Sequence, residues 1–303
     1  VANIVLGYRQ DKDKRDIPIM TYSNSTHQAL LDLGHHVLTM GEGHYCKGFD
    51  GLDTSNLDLF IDLDCGRNEK GDLPFHCTEK RAPIPSAVRF IDTHGHPSFH
   101  KRAAKYYDHV FFAVWDKRDI FTQHPSVHWC PNASDAKYFY KDIVPEIHES
   151  RPTDIGFFGS KGGLDRADSM RDICLRNAWL CDIREIGKNR NRWPTTAESM
   201  ARCKVLFNRG QKHDGPNQRV IEAMLMDRPL VSDRDPRDGM SELFEEGEHY
   251  LGYGSDSELA NNIQWCLREP SLAASMAKRA YRLAYDKHLV KHRVEQILEV
   301  VGL

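Results

Sequence analysis

This chain has little of the features that would settle its class at once. Its longest apolar runs are only strand-length, so no segment is expected to span a bilayer. The 303 residues carry a formal net charge of −3, which gives no general attraction to nucleic acid or anionic lipid, although a local basic patch is compatible with it. None of the eight cysteines forms a Cys-x-x-Cys pair, and Cys130, Cys174, Cys203 and Cys266 lie in apolar runs. That is the pattern of reduced, buried thiols in a cytosolic protein, not of a disulfide framework. Charged residues appear by Lys12 and Asp13, which is not a signal-peptide pattern, so a cytoplasmic protein is expected. There is no internal repeat, no low-complexity tract and no Gly-x-x-x-x-Gly-Lys-[Ser/Thr] loop, so an ATPase of that class is unsupported.

The remainder has the composition of a soluble globular enzyme, 40% hydrophobic and 28% charged, long enough for two α/β domains. Strand-like runs at Ala2–Tyr8, His36–Met40, Leu57–Leu63, Ala87–Asp92, His109–Val114 and Val127–Cys130 alternate with helical patterns such as Ser25–Leu33 and Phe99–Tyr107. The second half repeats the alternation. Its strands are expected at Asp154–Phe158, Trp179–Ile186, Lys204–Asn208, Pro229–Ser232 and Tyr250–Tyr253. Its helices are expected at Ala167–Asn177, Thr196–Arg202, Asn217–Met226, Ser241–Glu245, Asp256–Arg268 and Pro270–Lys287. Such alternation predicts parallel sheets with right-handed crossovers. Each half opens with an apolar strand and a polar loop, and Glu-Ser-Arg-Pro-Thr within Glu146–Thr153 has the look of a linker. The expected architecture is therefore two doubly wound, Rossmann-like domains, 1–150 and 151–303, facing each other across a cleft. Ligands in such sheets bind beyond the carboxyl ends of the strands.

The most informative segment runs from Asp214-Gly215-Pro216-Asn217-Gln218-Arg219 through Glu222 to Asp233. Pro216 suits a first helical turn and Asn217 can cap it. The free amides around Gln218 and Arg219 would then face an anion such as a diphosphate. Glu222, one turn further in, can accept two hydroxyl hydrogen bonds, as a ribose 2′,3′-diol would offer. Upstream, Gly159-Ser160-Lys161 leads through two glycines to Arg166, a loop whose backbone can approach a ligand and whose cations can add charge-assisted bonds. Gly187 and Lys188 end the next strand, where a nucleobase would lie, and Arg209 ends the one after it.

The segment around Arg219-Val-Ile-Glu222-Ala-Met resembles the donor-binding segment of two-domain GT-B glycosyltransferases, nearest to the CgeB-like and group 1 families. The likeness continues through Gly239–Tyr253 and Ser257–Ile263, and Pro131-Asn132-Ala-Ser-Asp135 is similar to the GT-B crossover segment. The resemblance implies a GT-B fold in which the terminal helix His292–Val301 packs back on the first domain. It implies transfer of a sugar from a nucleoside-diphosphate sugar, a UDP-sugar being the expected co-substrate, with no further cofactor and no metal. The later acid of the family's Glu-x7-Glu pair, which contacts the ribose, corresponds to Glu222. The earlier one, which contacts the donor sugar, corresponds to Asp214, a shorter side chain; the pair leans towards retention of configuration. Lys161, Arg166 or Arg209, with amides near Asn217, would stabilise charge on the leaving diphosphate.

In the first domain, Asp92-Thr-His94 ends a strand, and some CgeB-like proteins carry a similar Asp-x-His there. His94 is the candidate base or acceptor-positioning group, with Asp92 orienting it. The acceptor is an unidentified hydroxyl on a saccharide, protein, metabolite or modified DNA base. Arg9, Lys12, Lys14, Arg15, Lys101, Arg102 and Lys105 would form the basic face that nucleic acid needs. Asp62-Leu-Asp64 and Asp233-Arg-Asp235 match the short Asp-x-Asp metal–diphosphate pattern of single-domain glycosyltransferases, a match common by chance among 44 acidic residues. Two rival readings remain: a metal-dependent hydrolase built on His94, His96 and His100, and a non-catalytic nucleotide-sugar-binding module.

Overall fold

The computed structural model describes residues 1–8, 22–41, 44–63, 81–143, 152–159, 166–185, 193–210, 216–235 and 237–303, without the side chains of 166, 167, 185, 193 and 194. The chain divides into two compact units, Val1–Asn132 with Val290–Leu303, and Ala133–Leu289.

The first unit begins with β1 (Asn3–Gly7), α1 (Tyr22–Asp32), β2 (His36–Met40), β3 (Leu59–Leu63), β4 (Ser86–Phe90), α2 (Pro97–Ala103), β5 (His109–Phe112) and β6 (Val127–Trp129). All its strands pair in parallel, in the order β2-β1-β3-β4-β5-β6. Every residue of β3 and β4 is buried, as expected for central parallel strands covered on both faces. The expected helix Phe99–Tyr107 is instead α2 followed by a 3-10 turn at Ala104–Tyr106, and Pro97 opens it in the first turn, where its missing N–H costs nothing.

The second unit runs β7 (Thr153–Gly159), α3 (Arg166–Asn177), β8 (Cys181–Glu185), α4 (Trp193–Ala201), β9 (Cys203–Asn208), α5 (Gln218–Leu225), β10 (Leu230–Asp233), α6 (Met240–Leu243), β11 (Leu251–Tyr253), α7 (Asp256–Arg268) and α8 (Pro270–Lys287). Its parallel sheet has the order β11-β10-β9-β7-β8. Alternation along the strands supplies two cores. Ile155, Phe157, Val205 and Phe207 pack with Met170 and Ile173 of α3 and with Leu259 and Ile263 of α7. Phe158 and Leu206 pack on the other face with Ala197 of α4, Val220 and Met224 of α5, and Ala280 of α8. Side chains on successive strand residues point to opposite faces, which makes this sheet doubly wound. The strand order reverses between β7 and β9, so the carboxyl ends of those two strands form the crevice where such sheets take ligands.

The last helix, α9 (Val290–Val301), belongs to the first unit, where it packs on α1. Arg293 Nε donates to the Pro131 carbonyl at 3.0 Å, and Gln296 Nε2 to the Trp129 carbonyl at 2.8 Å. Buried Arg89 of β4 also donates to the Cys130 and Pro131 carbonyls and lies 4.1 Å from the Tyr22 ring centroid. The division differs from the expected 150/151 boundary because Phe139 is buried in the second unit's core, with Ala136, Tyr138 and Ile143 packed against it. Apolar side chains, not the polar Glu146–Thr153 composition, decide which unit that stretch joins. Among the described residues no helix is long and apolar enough to cross a membrane.

Candidate functional site

At the β7/β9 crevice the structure brings together Gly159, Asn208, Asn217 and Arg219. Asn217 caps α5, its side-chain oxygen accepting from Arg219 N at 3.1 Å. Its amide Nδ2 donates to Asn208 Oδ1 at 3.1 Å. Arg219 reaches back to the same Asn208 oxygen through Nε at 3.2 Å, and to the Arg209 carbonyl through Nη2 at 3.2 Å. Its guanidinium lies 5.3 Å from the Phe157 ring centroid. Asn208 Nδ2 donates to Ser232 Oγ at 2.9 Å, and the Tyr253 hydroxyl donates to the Asn208 carbonyl at 3.1 Å. Buried Asn208 thus fastens the start of α5 to the ends of β9 and β10. Sequence reasoning ran a strand through this residue without marking it; the available signal was an amide closing an apolar strand.

Gly159 packs against the Arg219 side chain. A Cβ there would lie 2.7 Å from Arg219 Nη1 and 2.7 Å from the Phe157 ring, so the glycine makes room for the Arg219 guanidinium. The amide inventory is also corrected. Arg219 N–H is taken by the Asn217 cap, whereas no partner takes Gln218 N–H among the described residues. One open amide therefore remains at the positive end of the helix macrodipole. Pro216 is buried just before it, and Glu222 is buried one turn inside, in a helix whose residues Val220–Leu225 are all buried.

Arg209 does not stand open as a cation. Nη1 donates to Ser169 Oγ at 2.8 Å and Nη2 to Asp256 Oδ1 at 2.9 Å, because the exit of β9 delivers the side chain between α3 and α7. Ser160, Lys161, Gly187, Lys188, Asp214 and Gly215 lie outside the described residues, and Arg166 is described only as the first residue of α3.

Of the two Asp-x-Asp patterns, Asp233, Asp235 and Asp62 are engaged in structural contacts. Asp233 accepts Gly210 N at 3.0 and 2.9 Å; burial pushes its carboxyl up while that amide and the nearby Arg209 and Arg219 pull it down, with a net rise. Asp235 holds Arg237 at 3.0 Å, and Arg234 between them bonds Glu246 and Glu258. Asp62 is fully buried and accepts the Tyr107 hydroxyl, whose own proton is held more tightly by burial and then by Asp62. Asp64 is outside the described residues.

In the first unit, Asp92, His94, His96 and His100 follow β4 but divide by environment. Asp92 and His96 are exposed and His94 is half-buried. Asp92 accepts Gly95 N through its backbone carbonyl at 2.9 Å, and no bond joins its carboxylate to His94 among the described residues, so the expected orienting contact is absent. The Nδ1 of His94 is buried without a hydrogen-bond partner among the described residues. His100 is fully buried, stacked on Phe90 at 4.3 Å, with Nδ1 3.2 Å from Thr93 Oγ1. Burial foremost, then His96 and His94, pushes its pKa down to about 3. Its full burial against Phe90 and its contact with Thr93 make it a core group. Among the described residues no group of three or more His, Cys, Asp or Glu side chains could hold a metal ion. Lys101, Arg102 and Lys105 are exposed on and just after α2, while Arg9–Arg15 lie outside the described residues.

Residues 171–299 match the family described as glycosyl transferase-like. Sequence comparison with curated proteins finds no match. Solved structures similar along the whole chain include sucrose-phosphate synthase (tll1590) from Thermosynechococcus elongatus, with 11% identity and a TM-score of 0.66 over 100% of this chain and 98% of that one. Anabaena Alr3699/HepE in complex with UDP and glucose has 14% identity and a TM-score of 0.63, with 100% of both chains covered. T4 phage BGT in complex with UDP and Mn2+ has 13% identity and a TM-score of 0.59, again over 100% of both. The chain has the GT-B glycosyltransferase fold, with a glycosyl transferase-like sequence region that covers much of the second unit and runs on into α9.

Proposed function

We propose that this protein is a glycosyltransferase that holds a nucleoside-diphosphate sugar on its second unit and passes the sugar to a hydroxyl acceptor. The observation that carries the reading is Glu222, a carboxylate buried one turn inside α5, whose capped start is tied through Asn208 and Arg219 to the β7/β9 crevice. A carboxylate accepts hydroxyl hydrogen bonds, and a ribose diol donates two. The open Gln218 amide and the positive end of α5 suit the diphosphate, with Lys161 and Arg166 as its cations and Asp214 as the donor-sugar acid. Stabilising charge on the departing diphosphate is then the main source of rate. Similar structures in complex with UDP and with UDP-glucose support a UDP-sugar as donor.

His94 is the proposed proton acceptor for the incoming hydroxyl, acting without the Asp92 contact. The resemblance to CgeB-like proteins belongs to the same reading, as does diphosphate binding without a metal, supported by the structural use of both aspartates of Asp233-Arg-Asp235. The test is calorimetric binding and thermal shift with UDP, GDP, ADP and their glucose conjugates, for wild type and Glu222→Gln. Losing hydrogen bonds to a charged group costs about 1.5–3 kcal/mol, so UDP affinity should fall on the order of tenfold to a hundredfold. Equal UDP binding by a folded Glu222→Gln protein would refute the donor site.

A further inference from the structure

Cys174 is the fourth residue from the end of α3, and the way that helix ends determines what faces it. Ala178 adopts the left-handed conformation at φ 55°, Trp179 N donates to the Cys174 carbonyl at 3.0 Å, and Ala178 N to the Leu175 carbonyl at 3.3 Å. This paired pattern is a Schellman ending, which turns the chain back over the residue whose carbonyl it takes. The chain then enters β8, where Cys181 and Ile183 share one face. Ile183 packs against the core cluster that contains Cys174, and the Cys181 thiol lies beside the Cys174 thiol, close enough for a side-chain contact. Cys174 is buried, 1% exposed, while Cys181 is exposed. The register Ile155↔Cys181 and the bond from Leu180 N to Asp154 Oδ2 at 2.9 Å hold the start of β8 in place.

We propose that Cys174 and Cys181 form a redox-active dithiol, a modification site that closes to a disulfide when it meets a low-molecular-weight disulfide such as oxidised glutathione. The exposed Cys181 thiolate attacks one sulfur of the reagent, breaking its S–S bond and releasing one thiolate, which takes up a proton. Cys174 then loses its proton and attacks Cys181 Sγ, forming the protein S–S bond and releasing the second thiol. In sum the two cysteines lose two protons and two electrons, and one reagent disulfide becomes two thiols. The order of attack follows from environment: burial, then the neighbouring Cys181, pushes the Cys174 thiol up to about 12, so it is not the first nucleophile. The inference does not depend on the sugar-transfer reading.

The experiment treats the whole reduced protein with oxidised glutathione and follows it by intact mass and non-reducing peptide mapping. Wild type should lose two hydrogens, yield a single peptide pair joined through Cys174 and Cys181, and return to starting mass with dithiothreitol. Cys174→Ala should stop at a glutathione adduct on Cys181, and Cys181→Ser should leave Cys174 unmodified. A stable Cys181 adduct in wild type, a cross-link to a different cysteine, or no reaction at Cys181 would each overturn the proposal. Wild type carries the decisive readout, so poor folding of either variant leaves it intact.

Discussion

Acid should weaken the first unit through one residue, His100. Its ring is fully buried, stacked on Phe90, and its pKa lies at about 3. In the unfolded chain a histidine titrates near 6.5. As pH falls below about 6.5 the unfolded state gains a proton that the folded state refuses until about pH 3, so stability declines across that window and is unaffected above it. The slope for one proton is about 1.4 kcal/mol per pH unit. Between pH 6.5 and pH 5 the loss is therefore about 2 kcal/mol, a large part of the stability of an ordinary domain. The assay is urea unfolding of wild type and His100→Gln at several pH values from 7.5 to about 4.5. The variant should be the weaker protein at neutral pH, because it loses the stacking on Phe90. Its deficit should shrink by about 2 kcal/mol by pH 5, since glutamine does not titrate. Other lowered histidines, such as His27, His35 and His128, act equally in both proteins and cancel. Parallel stability curves, or an NMR titration of the His100 ring with a midpoint near 6.5, would sink the argument.

Gly159→Ala should cost about 1–3 kcal/mol of stability from overpacking and displace Arg219, lowering UDP affinity; unchanged calorimetry would show that the Cβ is accommodated. Asn217→Ala removes the α5 cap and the tie to Asn208, so a loss of about 0.5–2 kcal/mol is expected, with weaker diphosphate binding; a thermal shift in UDP equal to wild type would count against α5 as the anion site.

Much of the fold was legible before any coordinates. The expected helices Asp256–Arg268 and Pro270–Lys287 coincide with α7 and α8, because Ser255 caps one, accepting Glu258 N at 3.2 Å, and Pro270 opens the other. Those signals are local, and local chemistry is what a sequence displays directly. The same holds for the Asn217 cap, which followed from residue type and spacing alone. Uses that depend on distant partners were not legible. Gly159 looked like a residue making way for a ligand, and it makes way for Arg219, sixty positions along the chain. Arg209 looked like a free cation until α3 and α7 supplied Ser169 and Asp256. His100 looked like a metal ligand until Phe90 and Thr93 enclosed it. Sequence determined the elements, their parallel alternation and the segment most suited to an anion and a diol, since periodicity, capping and side-chain chemistry act within a few residues. Tertiary structure decided which polar groups remain open to a ligand, because burial and hydrogen-bond pairing are set by segments that meet only when the chain is folded.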